Sequence, residues 1–237
     1  MNPYQKLLER KRKWTPVQTT AGTCKQGAEE AIYRALALRH MELPVGDFIT
    51  HALNHEVPAL AREVLVSNVT DEENHDIALG YIANAYGVDE TAEKEAKRLR
   101  TAWEAHPDHT ITKALVAERA IFFVLLPFFR FTGDAGMRTT SADISRDEQI
   151  HVATNSLVCR ELGLNISPSL DKLRLATINW VMQPLGRSSD KYLDKQFWLD
   201  SSDRLMYEGK APQLSETKAG RMPAFFEHSN VNLPQYA

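Results

Sequence analysis

The sequence reads DEENH at Asp71–His75 and RDEQIH at Arg146–His151, and each stretch holds a Glu and a His three residues apart. On an α-helix this spacing places the two side chains one turn apart on the same face. Two such helices facing each other, with one more carboxylate from each of two neighbouring helices, form a dinuclear metal site in a four-helix bundle. The two stretches therefore predict a helical bundle built around a pair of metal ions.

Two further glutamates repeat the arrangement at a matched offset. Glu42 lies 30 residues before Glu72, and Glu118 lies 30 residues before Glu148. The segment 114–131 around Glu118 is otherwise almost entirely apolar, and there an ionised carboxylate must be protonated, paired or bound to a metal. Glu29 and Glu30 are the alternatives to Glu42, because they fall in the same predicted helix. The predicted metal ligands are Glu42, Glu72, His75, Glu118, Glu148 and His151.

The chemistry of this ligand set indicates the kind of metal. Carboxylate oxygens bridge two ions and balance their charge, while one imidazole for each ion leaves coordination positions open. Iron and manganese match such a set, whereas structural zinc prefers more thiolate or imidazole in a closed tetrahedron. The predicted cofactor is therefore a dinuclear centre of Fe, Mn or one of each.

Composition and charge exclude several classes of protein. The chain has 237 residues and a formal net charge of −3, which gives no basic surface for nucleic acid. Its longest apolar block, 120–129, is too short to span a membrane and contains Pro127. Cys24 and Cys159 follow no metal or redox spacing, and no apolar signal segment precedes them. These features favour a soluble, cytoplasmic protein.

Proline, glycine and capping residues predict where the helices begin and end. A first helix from about Lys25 should end at Pro44 and Gly46, which places Glu42 in its last turn. A second should begin at Pro58 and end at about Tyr86, before Gly87. The predicted organisation is an N-terminal arm over 1–24, a metal-binding bundle over 25–186, and a C-terminal helix and tail over 187–237.

The helix that carries Glu148 and His151 has its own boundary signals. Thr139, Thr140 or Ser141 should cap its start, and Gly163 should follow its end at Leu162.

The motifs themselves resemble one known family. ISRDEQIH at Ile144–His151 is similar to the I-A-R-D-E-x-x-H of the radical-generating small subunit of class I ribonucleotide reductase, and ERAIFF at Glu118–Phe123 resembles its buried Glu-bearing helix. The similarity covers roughly residues 10–182. It implies an all-α, ferritin-like four-helix bundle with additional helices, and the ligand set given above. It also implies a homodimer that passes a radical to a large catalytic subunit, which reduces ribonucleotides to deoxyribonucleotides.

The resemblance further implies a route for the radical. Asp147 matches the family's Asp that links a metal-bound histidine, here His75, to an outlying tryptophan, here Trp14 in a Trp-x-Pro setting. Tyr236, at the end of a segment that begins Phe225-Phe226-Glu227, matches the family's relay tyrosine. The family's radical tyrosine lies four residues after the first histidine, where this chain has Leu79. The stored oxidant is therefore expected on the metals.

Two other functions share the predicted bundle. A ferritin-like di-iron oxygenase or oxidase acting on a small molecule would need a channel from the surface to the metals instead of a Trp/Tyr relay. An iron-storage protein would form a closed cage, whereas the reductase subunit would form a dimer.

Overall fold

Helices make up the regular secondary structure of the part of the chain that the structure describes. This computed structural model describes residues 2–18, 22–55, 57–211 and 214. Apart from one antiparallel bridge between Cys24 and Gly133, that part is all-α, as predicted. The α-helices are α1 (Pro3–Leu8), α2 (Glu29–Ala37), α3 (Glu42–Leu53), α4 (Arg62–Tyr86), α5 (Glu90–Ala105), α6 (Thr110–Ala117), α7 (Phe123–Thr132), α8 (Ala135–Glu161), α9 (Pro168–Met182) and α10 (Lys195–Glu208).

Four rods form the central bundle. They are α3, α4, α8, and a composite rod in which α6 and α7 are joined by a π-helical turn at Glu118–Phe122. Helix α3 packs against α4 and α6, and α8 packs against α4, α6 and α7, so the rods close a ring. The other helices pack around this ring, and each described helix is too short or too polar to span a lipid bilayer.

Glu42 lies at the beginning of a helix and not in the last turn of one. Helix α2 ends at Ala37, a 3-10 turn covers Leu38–Met41, and Glu42 is the first residue of α3. Pro44 therefore sits in the first turn of α3, where backbone N–H groups have no acceptor within the helix and proline is tolerated. The prediction that the first helix ends at Pro44 and Gly46 is wrong.

The two predicted alternatives to Glu42 point to solvent. Glu29 and Glu30 begin α2 and are exposed, whereas Glu42 is buried. Of the three glutamates, only Glu42 reaches the interior of the bundle.

The predicted end of α4 is confirmed, whereas the predicted start of α8 is wrong. Helix α4 ends at Tyr86, and Gly87 follows with a φ of 86°, as predicted. Helix α8 begins before its predicted caps, because Asp134 accepts a hydrogen bond from the N–H of Met137 at 2.9 Å and so caps the first turn. The prediction of a cap at Thr139, Thr140 or Ser141 is therefore wrong.

The N-terminal segment is attached to the bundle by side-chain contacts. Helix α1 packs on α4 and α8, and its Tyr4 donates a hydrogen bond to Glu161 at 2.9 Å. Further along, Arg12 forms an ion pair with Asp143 at 2.9 Å. Residues 2–14 therefore lie across the two helices that carry the Glu-x-x-His motifs, while the division of the chain at 24 and 186 stays a prediction.

Candidate metal centre

The four rods turn six side chains toward one point inside the ring. Each of these six residues is at most 2% exposed. Within the described residues, these side chains form two overlapping groups. In each group, one nitrogen or carboxylate oxygen from every residue lies within 4.8 Å of the others. The first group is Glu42, Glu72, His75 and Glu148, and the second is Glu72, Glu118 and His151.

Glu72 and Glu148 each face both histidines. Glu72 places Oε2 3.4 Å from Nδ1 of His75 and Oε1 3.1 Å from Nδ1 of His151. Glu148 places Oε1 3.4 Å from Nδ1 of His75 and Oε2 3.7 Å from Nδ1 of His151. Both carboxylates therefore lie between the two histidines, where they would be shared by the two halves of a dinuclear centre.

Glu42 and Glu118 each face one histidine. Oε2 of Glu42 lies 3.7 Å from Nδ1 of His75, and Oε1 of Glu118 lies 3.7 Å from Nδ1 of His151. The cluster thus has two similar halves, named below the His75 position and the His151 position. Each combines its own histidine, one glutamate of its own and the shared pair.

The atoms that face one another in this cluster lack hydrogen-bond partners. Every one of the six residues keeps at least one buried nitrogen or oxygen that is unpaired. An unpaired buried polar atom costs stability, and a cluster of them requires an explanation such as an ion. Two metal ions would satisfy these atoms, so the residues present fit a dinuclear centre. The unpaired atoms are Oε2 of Glu42, both oxygens of Glu72 and Glu148, Oε1 of Glu118, and Nδ1 of His75 and His151.

Burial and mutual charge shift the pKa values of the carboxyl groups. Burial raises the pKa of Glu42, Glu118 and Glu148 above the usual value for a glutamate. Burial also acts upward on the pKa of Glu72, but contacts with His151 and His75 outweigh it and lower that pKa. Three of the four glutamates therefore hold protons more tightly than glutamates in water do.

The pKa values of both histidines are raised, which favours the protonated imidazolium form. Burial acts to lower the pKa of His75, but Asp147, Glu148 and the other carboxylates around it raise that pKa well above its usual value. The pKa of His151 rises to about 10 for the same reason, with Glu148 and Asp71 as the main causes after burial. Protons thus compensate the buried carboxylates of the metal-free cluster, and entering metal ions would displace them.

Asp147 connects one half of the cluster to the N-terminal segment. Its Oδ2 lies 3.4 Å from Nε2 of His75 and accepts a hydrogen bond from the indole N–H of Trp14 at 2.5 Å. The rings of Trp14 and His75 are nearly parallel, with centroids 6.2 Å apart. The structure therefore brings together the three residues that the resemblance joined in a chain, although their role in radical transfer stays a prediction.

The other half has a corresponding chain that the sequence reasoning missed. Oδ2 of Asp71 lies 3.0 Å from Nε2 of His151 and forms an ion pair with Lys11. The signal for Asp71 was present, since it precedes Glu72 just as Asp147 precedes Glu148. For Lys11 no local signal exists, because its partner lies 60 residues away.

The structure describes Leu79, the position of the family's radical tyrosine, but not Tyr236, the predicted relay tyrosine. Leu79 is 4% exposed and packs in the core one turn after His75, while Tyr81 is half-buried on another face of α4. Tyr236 and the segment before it lie outside the described residues.

The comparisons with known proteins bear on this architecture. No family model matches the chain, and no curated protein matches it. Among solved structures, the chain is similar to a Bacillus halodurans protein described as a "putative class I ribonucleotide reductase", with a TM-score of 0.57 and 13% sequence identity. The match covers 95% of this chain and 97% of that one. The fold is ferritin-like.

The similarity shows the fold alone at that level of identity. The centre described above rests on this chain's own side chains. Together they establish a ferritin-like helical protein with a buried glutamate and histidine cluster consistent with a dinuclear metal site.

Proposed function

We propose that this protein binds a pair of Fe or Mn ions and serves as the small subunit of a class I ribonucleotide reductase. In this role it supplies a radical to a separate large subunit, which reduces ribonucleotides to deoxyribonucleotides. Its six metal ligands are those predicted from the sequence. It acts as a cytoplasmic homodimer, and its tail contacts the large subunit.

One observation carries this proposal: the connection from His75 through Asp147 to Trp14. A ferritin-like oxygenase needs its metals and a substrate cavity, but it has no use for a tryptophan hydrogen-bonded to the aspartate that faces a metal ligand. A radical-generating subunit needs such a connection, because the electron must cross from the surface to a buried centre. The indole is the one oxidisable side chain among these three residues.

The residues of the connection have distinct tasks. Asp147 accepts the N–H of Trp14 and faces Nε2 of His75, so it fixes the orientation of both rings. Asp147 is also placed to accept the indole proton when Trp14 gives up an electron. Nδ1 of His75 faces the cluster and is free to bind a metal. When bound, an Fe or Mn pair supplies one-electron oxidation after reaction with oxygen.

Burial protects this chemistry from solvent. The composite rod of α6 and α7 places apolar residues one turn before and after Glu118, and among them Ala114, Ile121 and Phe122 are each at most 4% exposed. Exclusion of water limits side reactions of a strong oxidant. Leu79 stands where the family carries its radical tyrosine, so in this proposal the oxidant is stored on the metals.

The experiment separates metal binding from radical transfer. The metal-loaded protein is mixed with a class I large subunit and a ribonucleotide, and deoxyribonucleotide formation is measured. Trp14→Phe should abolish the product while the variant still binds two ions, since no ligand is touched. Tyr236→Phe should have the same effect. Full activity of both variants would refute the route.

One observation favours a second candidate, an oxygenase or oxidase of a small molecule. A cavity of about 380 Å³ is lined by none of the six ligands, and a smaller one of about 270 Å³ lies beside the helical turns that carry Glu118 and Glu148. The smaller cavity is lined by Arg119 and Gln149, which follow the ligands Glu118 and Glu148 in sequence, together with Phe123, Val152, Ala153, Leu205 and Gly209. Oxidation of an added small molecule without any large subunit would support this candidate.

A further inference from the structure

In each half of the cluster, the aspartate that contacts the histidine belongs to the motif of the other half. Asp147, which precedes Glu148, faces His75 of the other motif, and Asp71, which precedes Glu72, faces His151. Each histidine therefore has an aspartate from the opposite helix behind it, that is, at Nε2, on the side of the ring away from the cluster. Because the two arrangements match, the groups beyond the aspartates can be compared directly.

Those groups differ by one charge. Behind Asp147 lies the neutral indole of Trp14, and behind Asp71 lies the ammonium group of Lys11. Nζ of Lys11 is also only 3.5 Å from Nε2 of His151. The side chains of Lys11 and Asp71 are 10% and 11% exposed, so solvent screens this charge weakly. The outer pair carries a net charge of −1 behind His75 and of zero behind His151.

A second difference acts in the same direction. Nδ2 of Asn155 donates a hydrogen bond to Oε2 of Glu118 at 2.7 Å, which disperses the charge of the glutamate that belongs to the His151 position. Asn155 lies one turn after His151, whereas the residue one turn after His75 is the apolar Leu79.

We propose that Lys11 neutralises Asp71 and thereby makes the His151 position the weaker of the two for a divalent cation. A positive charge behind a ligand repels the cation that the ligand binds, whereas the negative charge of an aspartate whose outer partner is neutral attracts it. The His75 position therefore fills first and the His151 position second. This inference rests on the metal binding proposed above, but on no step of nucleotide reduction.

The test is a titration with Mn²⁺ in which free Mn²⁺ is followed by its electron paramagnetic resonance signal. Lys11→Met removes the charge and keeps an apolar stem. It should tighten the second binding step by about tenfold, a size expected for one charge acting through partly buried protein, and leave the first step unchanged. Lys11→Arg should behave as the wild type, because it keeps the charge.

Two controls separate the local charge from other effects. Lys13→Met causes the same change in net charge at an exposed residue of the same segment, and it should leave both steps unchanged. Lys11→Gln is a second neutral variant with different packing, and circular dichroism checks that both neutral variants keep their helices.

The outcomes distinguish this inference from the proposed function. If Lys11 only braced the fold, its removal would weaken the second step, which is the opposite sign. A second step that is weakened or unchanged in both neutral variants overturns the role of Lys11 and leaves the proposed function intact. A wild-type protein that binds fewer than two ions overturns both.

Discussion

The metal centre and a second buried charge cluster, between α9 and α10, differ in how their polar atoms are satisfied. At the interface of α9 and α10, the guanidinium of Arg174 is fully buried, yet it donates to Asp171 at 2.7 Å, to Ser202 at 2.6 Å and to Asp203 at 2.8 Å. In the metal centre, every predicted ligand keeps an unpaired atom. The cluster of Arg174 needs nothing further, whereas the metal centre needs a ligand from outside the chain.

This difference teaches how a structural cluster can be told from a binding site. A buried charge whose hydrogen bonds are complete helps to define the fold, as Arg174 does by joining two helices. A buried group of ionisable side chains with unpaired atoms destabilises the chain that carries it. Such a cluster indicates that the cost is offset when an ion binds.

The largest expected effect is stabilisation by metal. At a free Mn²⁺ concentration a thousand times the dissociation constant, each bound ion should add about 4 kcal/mol to the free energy of unfolding. Glu72→Ala should abolish most of this gain, because Glu72 faces both positions. Thermal unfolding with and without Mn²⁺ measures the effect. An equal gain in Glu72→Ala and the wild type would break the distinction between the two clusters.

The next effect concerns the satisfied cluster. Arg174→Met should lower the free energy of unfolding by about 2 kcal/mol, because it removes the hydrogen bonds of a fully buried guanidinium that joins α9 to α10, while solvent reaches Asp203, whose side chain is 48% exposed. Urea unfolding of the metal-free protein measures this. Arg98→Met is the matched control, since Arg98 pairs with Glu95 at the surface and its side chain is 74% exposed. The Arg174 variant should still bind two ions, and loss of an ion would show that the clusters are not independent.

The pH dependence of metal binding should sharpen the comparison further. The raised pKa values of His75 and His151 mean that both imidazoles carry protons at neutral pH, and a metal must displace those protons. Since deprotonation is favoured as the pH rises, affinity should increase with pH, by about tenfold per pH unit for each proton released. Mn²⁺ titrations at pH 6, 7 and 8 measure this. A flat profile would contradict the assignment of protons to the metal-free cluster.

The smallest effect is expected from a single neutralised ligand. Burial raises the pKa of Glu118, so above the pKa of an unfolded glutamate the folded protein holds a proton that the unfolded chain releases. Stability contributed at this residue therefore falls as the pH rises toward the folded pKa. Glu118→Gln removes this penalty and keeps an acceptor for Asn155, so the metal-free variant should be more stable by about 1 kcal/mol at pH 8.

Two measurements check that expectation. Urea unfolding at pH 8 and pH 5 should show the gain only at the higher pH, and Mn²⁺ should stabilise the variant less than the wild type. A variant that is less stable than the wild type at pH 8 would mean that the ionised carboxylate is paired after all.

The sequence predicted the parts of this structure that depend on short-range spacing. The repeated Glu-x-x-His motif and the apolar segment around Glu118 indicated the bundle, and the structure brings all six predicted ligands together, although their binding of metal stays a prediction. Pro44 misled the boundary prediction, because a proline that ends one helix and a proline in the first turn of the next look alike in sequence.

The long-range contacts of the site could not be predicted from the sequence. Lys11 and Asn155 are ordinary polar residues in their local settings. The packing of the N-terminal segment on the bundle brings Lys11 to Asp71, and the packing of α8 beside the rod of α6 and α7 brings Asn155 to Glu118. Asp71 lies between these cases, since the repeated Asp-Glu pair marks it but does not say which histidine it faces.

The attachment of the N-terminal segment also has a consequence for biosynthesis. Trp14 leaves the ribosome early, but its partner Asp147 lies 133 residues further along the chain. Glu148 and His151 belong to that same late helix. A nascent chain that has not yet extruded α8 therefore lacks both the second Glu-x-x-His motif and the anchor for its tryptophan. Synthesis of this one helix completes the ligand set and allows the N-terminal segment to dock.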